Sequence, residues 1–158
     1  MQTENISSKL AVNKFLKNHP LMTMVTKAAD GELAAAAAYV YVDDEFVAYI
    51  LSRAETRKIA NIEAGEAVVF FVADVDTFEQ IEFHGTGSVM FDSKETAKSL
   101  EKIQSIVTKD QQRYWVPPAT QVPGEKHVLV KIKPQRIIHR EYSKAVMPDQ
   151  IKQKTITF

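Results

Sequence analysis

Apolar residues return at helical spacing in SSKLAVNKFLKN, residues 7 to 18. Leu10, Ala11, Phe15 and its neighbour Leu16 make one stripe, and Ser7 or Ser8 can cap the start. His19-Pro20 ends the helix, because the residue before proline avoids the helical region. The pattern then turns to alternation. LMTMVTKA (21–28) reads as a strand, ADGE carries an Asp-Gly turn signal, and LAAAAAYVYV (33–42) follows. Its five successive alanines favour helix by intrinsic propensity. The flanking turn, Asp43-Asp44 and the Tyr-Val-Tyr-Val ending predict strand instead. The alanines then mark a place on the sheet where something must come close.

FVAYILS (46–52) is a third strand, and it runs into LSRAETRKIANIEAGE (51–66), a short helix stopped by Gly65. AVVFFVA (67–73) is apolar on both faces, the pattern of a strand covered on both sides. DVDT turns the chain into EQIEFHGTGSVMFD (79–92), a long strand in which Gly85 and Gly87 predict a bulge or a close backbone approach. Ser93 caps a helix carrying Ala97, Leu100, Ile103 and Val107 at helical spacing. VPPATQVPGE (116–125) reads as a loop. HVLVKIK (127–133) is a strand, Pro134 interrupts, and RIIHREY (136–142) adds another. The polar tail after Pro148 is either mobile or reaches a partner. No repeat, low-complexity tract or linker divides the chain. A single domain over 1–158 is expected, with a polar tail at 148–158. Many short strands joined by hairpin turns, with two or three helices between them, predict a mainly β (β+α) fold. It should be a small antiparallel barrel with peripheral helices rather than a βαβ sheet.

Composition narrows the class. A chain of 158 residues suits one domain with a sizeable core. Twenty basic and twenty acidic residues cancel, which argues against nucleic-acid or membrane-surface partners, whose footprint is excess Lys and Arg. The absence of cysteine excludes disulfides, thiol catalysis and Cys-ligated metals. The polar start MQTENISSKL has no apolar signal core, and no run approaches transmembrane length. The expectation is a cytoplasmic protein.

One stretch runs against its own electrostatics. The helix after strand 46–52 carries Arg53, Arg57 and Lys58 at its start, where the macrodipole disfavours cations. Ser52 and Glu55 can form a capping box, or Thr56 can cap instead. Either way, the Ser52 and Thr56 hydroxyls, unpaired N–H groups and three cationic heads gather in one place, which is the chemistry of a phosphate site. The plainer alternative is a solvated helix start with Glu55 and Glu63 offsetting the charge, where exposed pairs contribute about 0–1 kcal/mol.

The order of elements resembles the flavin-binding split barrels related to pyridoxamine 5'-phosphate oxidase. The landmarks are TMVTKAADGE, the strand ending YVYVDD, LSRAETRKIANI, AVVFFV and EQIEFHGTG, in that order. They cover roughly residues 10 to 92, plus the later strand around 127–142. Thr56-Arg57-Lys58 is similar to the family's Ser-Arg-Lys, which grips the phosphate of flavin mononucleotide (FMN). EQIEFHG is similar to the strand that carries a Gln toward the flavin. The resemblance implies a small antiparallel split β-barrel in which Arg57 and Lys58 hold the phosphate. Thr56 and Ser52 would donate to the phosphate or the ribityl chain, and Gln80 would approach the flavin. Arg53 joins them on charge and position alone. Ala36 to Tyr41 matches the strand along the flavin ring. The resemblance further implies a cofactor-bearing homodimer with the site between subunits, acting as an oxidoreductase. A small-molecule substrate and NAD(P)H are the candidate partners. Deazaflavin and haem are the alternative cofactors in the same fold, and a non-catalytic flavin-storing protein is the alternative function.

Two departures limit that carry-over. Tyr41 stands where the oxidase has a Lys for substrate phosphate, and the oxidase's C-terminal Arg-x-His and Arg-Leu-x-Pro elements have no match in a chain ending KTITF. Oxidation of pyridoxamine phosphate is therefore not expected. His19, His84, His127 and His139 show no metal-ligand spacing, and no metal is expected. Within the fold's haem-binding relatives, His84 and His139 are the positions to watch. Tyr114-Trp115 can stack on a flavin, close a dimer groove or anchor a loop. Glu79 and Glu82 read as solvated strand carboxylates, and no catalytic acid, base or nucleophile is identified.

Overall fold

The computed structural model describes residues 2–90, 93–110, 126–142, 147 and 150–158. The loop 116–125 and Tyr114-Trp115 lie outside them. Helix α1 spans Gln2–Asn18 and begins earlier than expected, since no proline or glycine precedes Ser7 to stop it. Its inward stripe is Val12, Phe15 and Leu16, all buried, whereas Leu10 is 67% exposed. Phe15 and Leu16 set the face, and the stripe extends N-terminally by three residues to Val12 rather than by five to Leu10.

Strands β1 (Leu21–Lys27) and β2 (Leu33–Tyr39) form the expected hairpin, with Gly31 at φ +92 in the Asp-Gly turn. Strand beats helix for the alanine run, because each alanine pairs across to β1. A two-residue β3 (Tyr41–Val42) follows, then β4 (Ala48–Arg53). Strand β4 starts two residues later than the pattern suggested. Asp43 Oδ1 accepts from the N–H groups of Glu45 (2.9 Å) and Val47 (2.8 Å), closing a turn that holds Phe46 at φ 66. Helix α2 (Arg57–Glu63) ends as predicted before Gly65, which takes φ +81. Then come β5 (Ala67–Asp74), β6 (Glu79–Val89) and α3 (Ser93–Asp110). In α3 the inward positions are Ser99 and Ile103, flanked by Leu100 and Val107, while Ala97 faces water.

The region around Pro134 differs most from the sequence expectation. Residues 127–133 and 136–142 are not two strands; His127–Glu141 is one strand, β7. Pro134 lies opposite Gly85 where the register shifts, so a bulge absorbs the proline that cannot donate to the ladder. A Cβ on Gly85 would collide with the Lys133 carbonyl, and one on Gly87 would come 2.8 Å from Ile62 Cγ2. Both glycines mark the close approach that was predicted. The end of the chain is likewise not a loose polar tail. Lys152–Thr157 forms β8 on β7 and buries Ile156.

The sheet runs β2-β1-β5-β6-β7-β4-β3, with β8 also on β7. Strands β2 and β3 are the two ends of that path, yet only the buried Val40 separates them in sequence. The sheet must therefore curl until its edges meet at Val40, giving the antiparallel half-barrel. Strand β7 pairs β4 over its first half and β8 over its second, which splits that side. Phe15 and Leu16 of α1 and Ile59 and Ile62 of α2 enter the same core as Phe70, Phe83 and Ile132. Helix α3 packs Ile103 onto a separate cluster with Tyr49 and Leu129.

Candidate functional site

The geometry of the site follows from the exit of β4. Ser52 alternates inward and is 3% exposed, whereas Arg53 points out. Ala54 N–H donates to the Lys126 carbonyl (2.9 Å), closing the strand ends. Thr56 is extended (φ −122, ψ 151) and occupies the N-cap position, but its side chain makes no capping bond. Its hydroxyl donates to the Arg53 carbonyl (3.1 Å). The Ser52 hydroxyl donates to the same carbonyl (3.3 Å) and lies 3.5 Å from Thr56 Oγ1. The Ser52–Glu55 capping box is thus replaced by two hydroxyls on one carbonyl. Among the described residues, nothing accepts from the N–H of Arg57 or Lys58.

The cations differ in their surroundings. Arg57 Nη1 pairs with Glu32 Oε1 at 2.8 Å, both side chains more than half exposed. Lys58 is half-buried, and among the described residues no carboxylate pairs with it. Burial holds its ammonium below the usual lysine range, and the Arg53 charge lowers it further. A desolvated cation beside a second cation, two hydroxyls and two unaccepted N–H groups fit an anion such as a phosphate monoester. Position is fixed from behind: Ile59 and Ile62 are buried, Ile62 rests on Gly87, and Asn61 Nδ2 donates to Thr26 Oγ1 (3.1 Å).

Gln80 does not join this group within one chain. It opens β6 opposite Ala73 and Arg140, whereas α2 rests against the Gly87 end. Six to seven residues of strand separate them, about 20 Å. Between the two ends lies one face of the sheet, with Ala35 and Ala37 from β2, Thr23 from β1 and Phe71 from β5, all exposed. Strand β5 is therefore not covered on both faces as its composition suggested; alternate residues point to this open side. A shallow concavity there is lined by Leu21, Thr23, Ala37, Phe71 and Ala73.

The carboxylates of β6 are not the solvated groups expected. Glu82 accepts from Arg140 and lies 3.2 Å from His84 Nε2; the Arg140 hydrogen bond chiefly holds its carboxyl below the ordinary range. Glu79 Oε1 is 3.2 Å from the buried His139 Nε2, and with Glu141 these three offer ligand atoms within 4.8 Å of one another. Spacing could not reveal this set, because strand pairing assembles it from distant segments. Glu141 also lies 4.0 Å from Lys154, so the carboxylates are compensated inside the protein. Tyr41 stacks on Tyr49 with ring centroids 5.6 Å apart, and burial pushes its phenol up. It remains a neutral hydroxyl.

The pyridoxamine 5'-phosphate oxidase family model matches residues 9–141. Comparison with curated protein sequences finds no match. Among solved structures, one similar protein is a pyridoxamine 5'-phosphate oxidase-related, FMN-binding protein of Nostoc punctiforme. It is 14% identical, covers 98% of this chain and 95% of its own, and has a TM-score of 0.57. General stress protein 26 of Bacillus anthracis is 18% identical over 97% and 98% of the two chains (TM-score 0.61). PhzG of Burkholderia lata, solved with tetrahydrophenazine-1-carboxylic acid, is 11% identical over 99% and 92% (TM-score 0.60). At these identities the likeness to each structure is one of fold.

Proposed function

The chain belongs to the pyridoxamine 5'-phosphate oxidase family, and from that premise we propose that it binds FMN between two copies of itself and serves two-electron oxidoreduction of a small molecule. The observation that carries this reading is Lys58, a half-buried cation close enough to Arg53 to feel its charge, and one that no carboxylate among the described residues pairs with. In this reading Lys58, Arg57 and Arg53 neutralise the phosphate, and Ser52 and Thr56 turn their hydroxyls toward it or the ribityl chain. The fold-related Nostoc protein is itself FMN-binding.

Alanine side chains at 35 and 37 let a flat ring approach the open sheet face closely. That face and the distance from Lys58 to Gln80 favour a homodimer, in which a second copy supplies the other wall of the site. When bound, the flavin supplies the electron-transfer chemistry; this chain's residues hold it, orient it and exclude water. The substrate is not expected to be pyridoxamine 5'-phosphate, because neutral Tyr41 cannot balance a phosphate dianion. The test is parallel titration of the protein with FMN and riboflavin, with sedimentation of the loaded sample. We expect one FMN per chain, much weaker riboflavin binding, and about twice the 17.8 kDa chain mass. Equal affinity for both flavins would remove the phosphate assignment. A monomer holding stoichiometric FMN would contradict the shared site.

A further inference from the structure

Among the described residues, one buried side-chain polar atom has no hydrogen-bond partner: Nε2 of His127. The other three histidines each place Nε2 on a carboxylate, His19 on Asp74 (2.7 Å), His84 on Glu82 and His139 on Glu79 (both 3.2 Å). A buried, unpaired polar group costs roughly 1–3 kcal/mol. An apolar residue at the same place would avoid that cost.

The place is informative. His127 opens β7 directly opposite Arg53 of β4, and opposed residues of an antiparallel pair share a face with Cβ atoms about 5 Å apart. The Arg53 charge in turn reaches Lys58. The bond from Ala54 N–H to the Lys126 carbonyl fixes the start of β7 against the exit of β4. The orphaned ring nitrogen stands across the ladder from Arg53, whose charge favours an anion there, and as an Nε2–H it could donate to one.

We propose that His127 is a further ligand of the nucleotide phosphate, its Nε2–H donating to a phosphate oxygen beside Arg53 and Lys58. This rests on the flavin reading above, and the test separates the two. Flavin-free His127→Ala should still fold cooperatively in urea unfolding, losing only the packing of the ring, since no internal hydrogen bond is lost. Its FMN affinity, read by quenching of flavin fluorescence, should fall about tenfold or more, the scale of a hydrogen bond to a charged group. Riboflavin affinity should change less than twofold. His127→Gln, whose amide can donate from a similar reach, should recover most of the FMN affinity. Unchanged FMN affinity in folded His127→Ala would overturn the proposal, as would equal losses for FMN and riboflavin. Should the native protein bind no flavin, the cofactor reading fails, and inorganic phosphate decides the remainder. A phosphate-dependent rise in melting temperature that His127→Ala abolishes supports the anion contact. No response in the native protein, or the same response in both, refutes it.

Discussion

Replacing Lys58 by Met keeps most of the side-chain volume and removes the charge. In the flavin-free protein this change is cheap, because the ammonium is half-buried, repelled by Arg53 and balanced by no carboxylate among the described residues. Stability in urea should stay the same or rise slightly. With FMN the balance reverses. A charge-assisted hydrogen bond to phosphate is worth about 1.5–3 kcal/mol, or roughly 10- to 150-fold in Kd. The Arg57→Ala variant should lose less, about fivefold, since Arg57 is exposed and already shared with Glu32. The lowered Lys58 pKa adds a pH signature. Binding favours the charged ammonium, so FMN affinity should weaken as pH rises toward a value below the ordinary 10.5, and Lys58→Met should lose that dependence. Fluorescence titration with FMN and riboflavin at fixed ionic strength measures all three effects. If Lys58→Met binds FMN within twofold of the native protein, or loses riboflavin equally, Lys58 does not hold the phosphate.

Three further outcomes are expected. Gly87→Ala drives a methyl to within 2.8 Å of Ile62 Cγ2 and should cost about 1–3 kcal/mol in urea unfolding; a loss below about 0.5 would mean α2 yields freely. Glu82 is held below its ordinary 4.5, chiefly by Arg140. Its contribution is fully present above 4.5 and lost as pH falls through the folded-state value, so Glu82→Gln should flatten the acid limb of stability below that pH; an unchanged limb would place the acid sensitivity elsewhere. Pyridoxamine 5'-phosphate should be oxidised slowly or not at all by FMN-loaded protein. Peroxide release with kcat/KM at or above about 10⁴ M⁻¹s⁻¹ would show that Tyr41 does not impair substrate binding.

Local chemistry made much of the fold legible. The Asp-Gly turn, Gly65 after α2, and the paired glycines of β6 are positions where backbone conformation or close packing leaves few alternatives. Pro134 misled because proline usually interrupts a ladder, and only the partner strand reveals that a bulge absorbs it. The tail misled because β8 is an edge strand with a single buried apolar residue, Ile156, too little alternation to register. Apolar composition of β5 suggested two covered faces, whereas one stays open; composition reports what a strand can bury, not which surface covers it. At the site, the cluster at 52–58 was visible because it is local in sequence. His127 was not, since cross-strand register alone sets it beside Arg53. The pairings of Glu79 and Glu82 were hidden for the same reason.

Whether this chain carries FMN is decided by the absorption spectrum of the purified protein, followed by mass identification of the released chromophore. A flavin spectrum and FMN are expected, either retained from expression or taken up one per chain on addition. A Soret band, a released deazaflavin, or no uptake of FMN by folded protein would contradict it.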